Sequence, residues 1–132
     1  MAFDLSEAWI IETETRLGAR LPETYRAAMM RRNGGTIVLE DEDWELYPIR
    51  DAGDRKRIAR TSNDILRETA ACRAWRGFPP AALAIAGNGS GDQLVFLCGD
   101  GAYAPGVHVW RHETGELLSL AADFAALPGS GA

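Results

Sequence analysis

The chain has 132 residues, 46% hydrophobic and 25% charged, with 19 acidic against 14 basic residues and a formal net charge of −5. That length suits one domain, residues 1–132, with a sizeable core, and the acidic balance argues against a general nucleic-acid binder. The two cysteines, Cys72 and Cys98, form no CxxC pair, so they read as reduced, partly buried thiols rather than a disulfide or zinc framework.

The first 14 residues are acidic and lack the basic and apolar regions of a leader peptide, and no run is long enough to cross a membrane. The expected location is therefore cytoplasmic. Asp4-Leu5-Ser6-Glu7 fits a capping box. Trp9, Ile10, Thr13 and Leu17 then repeat at helical spacing up to the stop at Gly18, which predicts a first helix over residues 5–17 with Glu7, Glu12 and Glu14 toward water. Leu21-Pro22 opens a second helix with Pro22 in its first position and Tyr25, Ala28, Met29 and Arg32 along one face. Asn33-Gly34-Gly35 ends it.

Thr36-Ile37-Val38-Leu39 and Trp44-Glu45-Leu46-Tyr47 read as strands, with a dense acidic stretch between and within them: Glu40, Asp41, Glu42, Asp43 and Glu45. Residues 55–76 are helical in pattern with a restart near Thr61-Ser62-Asn63, and Ile58, Ile65, Leu66, Thr69, Cys72 and Trp75 supply the apolar face. Seven basic residues (Arg55, Lys56, Arg57, Arg60, Arg67, Arg73 and Arg76) stand there against Asp64 and Glu68. Past the Gly77-Phe78-Pro79-Pro80 break come three short apolar runs, Leu83 to Ala86, Gln93 to Cys98 and Val107 to Trp110, separated by glycine and aspartate turns. They read as neighbouring antiparallel strands. Leu117 to Leu120 fits strand or helix, Asp123 can cap a last short helix presenting Phe124 and Leu127, and residues 128–132 are expected to fray. The fold class is α+β: a mainly antiparallel sheet with helices packed on it.

Catalytic and metal motifs find no support. Gly87-Asn88-Gly89-Ser90-Gly91-Asp92 lacks a following Gly-Lys-Ser/Thr and leads into a strand instead of a helix, so it reads as a turn with Asp92 bonding local amides. His108 and His112 lie on a strand pattern, where four residues separate them by about 13 Å, too far to share a metal. There is no Gly-x-Ser-x-Gly elbow and no Cys-His pair in a recognisable context. The expectation is a protein that is not an enzyme and needs no cofactor. The basic segment over residues 55–76 reads as a solvated face whose arginine stems cover apolar surface. As a nucleic-acid interface it predicts retention on a phosphate-rich resin that falls steeply with salt.

Taken together, Glu14, Leu17-Gly18, Leu21-Pro22, Tyr25, Asn33-Gly34-Gly35, Leu83 to Gly89, Gly91-Asp92, Leu94 to Leu97, Val107 to Trp110, His112 to Glu116, Phe124 and Leu127 follow one ordered pattern. It resembles that of the SMI1/KNR4 family, the core of the SUKH superfamily. Two departures are Cys98, where the family often has Asp, and Ser90 between the glycines. The resemblance implies an α+β fold and, in bacterial members, an immunity protein that neutralises a polymorphic toxin, often a nuclease, by stoichiometric occlusion. The alternative it implies is a regulatory protein–protein scaffold without a toxin. On either reading the partner is a protein, not a nucleic acid or a membrane. The candidate partner-binding residues are Glu40, Asp41, Glu42, Asp43, Trp44 and Glu45: an anionic surface that repels itself in the free protein and steers a basic toxin domain toward it. Trp44 is either an interface anchor or core, with core the better fit.

Overall fold

A computed structural model describes residues 2–129. Helices α1 (Glu7–Leu17) and α2 (Glu23–Arg31) come first, then the hairpin strands β1 (Gly35–Leu39) and β2 (Glu42–Leu46). Two short helices follow, α3 (Arg55–Arg60) and α4 (Ile65–Cys72). Strands β3 (Ala82–Gly87), β4 (Gln93–Gly99), β5 (Ala102–Tyr103), β6 (Val107–Trp110) and β7 (Leu117–Ala121) lead to a 3-10 turn, Phe124–Ala126. The sheet order is β1-β2-β3-β4-β6-β7, every pair antiparallel, with β5 paired to the far end of β4. This is the expected α+β architecture.

Strand alternation explains how the sheet carries helices on both faces. Ile37, Leu39, Trp44 and Leu46 share one face with Leu94, Phe96 and Val109 through the cross-strand register. Helix α2 closes over that face: Tyr25 meets Phe96 and Phe124 edge-on, with ring centroids 5.1 Å apart in each pair. The other face takes α4, where the Thr69 hydroxyl accepts from the Ala84 amide at 2.8 Å. Strand β3 is sandwiched between these layers and is buried at every position, which is why it reads as a continuous apolar run.

The helix ends follow local chemistry. Gly18 stops α1 in the left-handed conformation at φ 67°. Asp64 caps α4 by accepting from the Leu66 and Arg67 amides, which sets the restart one residue beyond the expected Thr61-Ser62-Asn63. Asp123 accepts from the Ala126 amide at 3.0 Å, and Phe124 and Leu127 are buried, as expected. Leu117–Ala121 resolves as a strand. Cys72 is a free, buried thiol and Cys98 a free, half-buried one. Pro128 and Gly129 form a turn, and residues 130–132, the rest of the segment expected to fray, lie outside the described residues.

Several expectations are corrected. No capping box forms at Asp4: the N-cap of α1 is Ser6, without a side-chain bond, while Asp4 pairs with Arg57 at 3.0 Å and Glu7 with Arg26 at 3.1 Å. Pro22 occupies the N-cap of α2 rather than its first helical position. Glu14 turns inward. Its carboxylate accepts from the Leu21 amide at 2.7 Å and from Arg26 at 3.2 Å, and both side chains are largely buried. The lost hydration of that pair is replaced by hydrogen bonds on each partner. Arg32 of the expected α2 face is exposed, and the buried cation is Arg26. Ile58 and Trp75, assigned to the core by periodicity, are 46% and 36% exposed.

Candidate functional site

The acidic stretch forms the end of the β1–β2 hairpin. Leu39 pairs with Glu42, leaving Glu40 and Asp41 as a two-residue turn in which both residues have positive φ, 50° and 64°. A tight turn of that hand fits the twist of the strands but favours Asn-Gly over two side-chain-bearing acids. Only Glu45 and Leu46 of β2 pair with β3, so the tip runs on past the end of that strand. Residues 40–43 are all exposed.

Alternation divides the six candidate residues between surfaces. Trp44 is 2% exposed and belongs to the core, on the same side as Glu42 and Leu46. Asp43 and Glu45 point from the opposite side, across from Val38 and Thr36. Glu42 accepts from Asn88 at 2.7 Å and Glu45 from Asn63 at 3.2 Å. Among the described residues no ion pair reaches any of the five acids, so the tip carries unneutralised negative charge.

Below the tip the curled sheet leaves a groove of about 260 Å³ between the hairpin and strands β6 and β7. Leu39, Trp44 and Val109 supply its apolar lining, Glu40 and Glu42 its acidic side, and Leu118 and Leu120 its outer lip. Those two leucines are 47% and 37% exposed on an edge strand. This groove combines charge steering with apolar area, the two ingredients of a protein interface. Sequence reasoning missed Leu118 and Leu120; their short apolar run fits core as well as surface.

The other motifs resolve structurally. In the glycine-rich turn Asn88, not Asp92, bonds the local amide, accepting from Ser90 at 3.0 Å. Asp92 instead reaches the segment just past β6 and across its own turn: it accepts from the His112 amide at 3.0 Å, from Arg111 at 2.9 Å and from the Asn88 side chain at 3.1 Å. Partial burial works to raise its carboxyl, but these donors outweigh it and hold the group below its ordinary value. No group of three or more His, Cys, Asp or Glu suited to a metal occurs among the described residues. His112 packs its ring against Trp75 at 4.6 Å.

In the basic segment, Arg57 pairs with Asp4 and with the buried Asp51. Lys56, Arg57 and Arg60 gather over the Phe3 ring at 4.8–5.8 Å. These cations cover an aromatic surface, the role their stems suit. No helix among the described residues is long and apolar enough to cross a membrane.

The comparisons with known proteins agree with the geometry at the level of family. The model of the SMI1 / KNR4 family (SUKH-1) matches residues 4–127. No curated protein and no solved structure gives a match. With nearly the whole length matched, and the helices, hairpin and antiparallel sheet in the anticipated order, the chain belongs to the SMI1/KNR4 family (SUKH-1).

Proposed function

We propose that the protein is a non-enzymatic immunity protein of the cytoplasm that neutralises a cognate toxin by stoichiometric occlusion. Family membership supports a binding role, and the observation that carries the reading is the hairpin tip. Four exposed acids at residues 40–43 project past β3 and form no ion pair among the described residues, beside a groove lipped by exposed Leu118 and Leu120, whose one basic lining residue, Arg111, is paired with Asp92. A basic toxin domain relieves the repulsion within the tip and covers the leucines. No bond is made or broken; the toxin's own surface is blocked.

The test is a tagged pull-down from the native cell at low and high salt, followed by expression of the captured partner alone. A stoichiometric basic protein that arrests growth, and is silenced by co-expression of this chain, is the expected result. Replacing Asp41, Glu42 and Asp43 together by lysine then abolishes protection while the circular dichroism spectrum stays unchanged. Protection that survives the triple replacement removes the tip from the interface. A housekeeping partner without toxicity moves the protein to the regulatory scaffolds of the same fold.

A further inference from the structure

On the sheet face opposite the groove, a second concavity of about 320 Å³ lies between α4 and the glycine-rich turn. Glu45 of β2 and Glu68 of α4 line it, with Trp75 beyond the end of α4. The backbone of Gly87, Gly89 and Gly91 forms its far side, and no basic residue lines it. At Gly87 and Gly91 the missing side chains are a steric requirement. A Cβ on Gly87 collides with the Tyr47 hydroxyl, and one on Gly91 stands 2.9 Å from the His112 ring. The floor is rigid: Tyr47 donates to Gln93 at 2.9 Å, and both are buried. The wall is rigid too, because Trp75 stacks on Trp110 with ring centroids 5.9 Å apart and planes at 22°. Yet Trp75 remains 36% exposed, and neither Glu45 nor Glu68 forms an ion pair among the described residues.

We infer that this concavity is a socket for one arginine side chain of a protein partner, with the guanidinium against the Trp75 indole and its N–H groups donating to Glu45 and Glu68. An indole beside two carboxylates in a walled concavity suits a planar cation, which uses a ring and two acceptors at once. Lysine, a compact and strongly hydrated charge, uses the carboxylates but not the flat surface, so arginine is the better fit. The negative field inside the concavity is felt by its floor. Burial pushes the Tyr47 hydroxyl up to about 12 against the opposing effect of its hydrogen bond to Gln93, and the nearby Glu68 and Glu45 carboxylates add to the rise. The inference rests on and deepens the reading of a basic protein partner, and moves part of the contact to the opposite sheet face, which the tip reaches through Asp43.

The experiment needs no toxin, so its outcome stands apart from that of the protection assay. The full chain, labelled with ¹⁵N, is titrated with N-acetyl-arginine amide into the tens of millimolar. Saturable shifts of the Trp75 indole N–H and the Gly89 and Gly91 amides, with the Trp9 indole unmoved, are expected. Glu68→Gln weakens the binding at least about threefold, the size of one exposed charge-assisted contact. Trp75→Phe keeps a ring for the packing on Trp110 and also weakens it. N-acetyl-lysine amide binds more weakly than the arginine probe. Shifts that grow linearly without saturating, that ignore Glu68→Gln, or that are matched by the lysine probe overturn the assignment.

Discussion

Two groups of acids in this chain have opposite fates. Glu14 and Asp92 are drawn into the structure and surrounded by donors: Arg26 and the Leu21 amide for one, Arg111, Asn88 and the His112 amide for the other. Glu40, Asp41, Glu42 and Asp43 stand at the hairpin tip with Asn88, among the described residues, the one neighbour whose side chain donates to any of them. The first group joins elements far apart in sequence, α1 to α2 and β4 to the end of β6. The second makes a single such link, from Glu42 to Asn88 in the glycine-rich turn. Residues of one chemical type are structural where the fold brings donors to them and available to a partner where it does not.

That contrast breaks most visibly at Glu14. Glu14→Ala leaves Arg26 buried without its main partner and is expected to lower the unfolding free energy by about 3 kcal/mol, read from urea denaturation. An effect below about 1 kcal/mol, the level of a surface pair, places Glu14 with the exposed acids instead.

Asp92 comes next. Asp92→Ala removes three acceptor contacts and is expected to lower stability by about 2 kcal/mol. Its pH signature has a definite sign. The folded carboxyl lies below its ordinary value of 3.8, so its contribution is complete above 3.8 and is lost as the pH falls toward the folded value. Wild-type stability therefore drops more steeply than that of Asp92→Asn through this acid window, as unfolding midpoints at a series of pH values show.

A smaller change of opposite sign is expected at the turn. Asp41→Gly relieves a side-chain-bearing residue held at φ 64° and raises stability by about 1 kcal/mol, read as a higher melting temperature. The smallest stability effect belongs to the triple lysine replacement of Asp41, Glu42 and Asp43. Its unfolding free energy stays within about 1 kcal/mol of wild type, although protection is lost. A large destabilisation there erases the distinction between the two groups of acids.

The sequence made the framework legible and left the sites obscure, for reasons visible in individual residues. Gly18, Asn33-Gly34-Gly35 and the glycine turns around β4 mark element ends by backbone chemistry, which is local. Trp44 was legible as core because strand alternation places it with Leu46. Glu14 was not legible: its partner Arg26 lies twelve residues away on another helix, and charge alone assigns a carboxylate to water. Helix α3, with six residues, is too short for periodicity to orient Ile58. The concavity holding Glu45, Glu68 and Trp75 is assembled by the pairing of β2 with β3 and by α4 crossing them. No spacing in the sequence carries that information.

Asn33 also sets a chemical clock. Its side chain imitates a strand, donating to the Ile49 carbonyl and accepting from the Ile49 amide, both at 2.8 Å, and it is 6% exposed. Asparagine before glycine is the sequence most prone to deamidation, since the unhindered glycine nitrogen attacks the side-chain amide. Here the folded state keeps that amide engaged. Each excursion that frees Asn33 lets the reaction proceed, and the resulting aspartate or isoaspartate loses the donor to Ile49. An aged sample thus carries, as a one-dalton mass increment on the peptide containing Asn33, a cumulative record of how often the junction between α2 and the hairpin has opened.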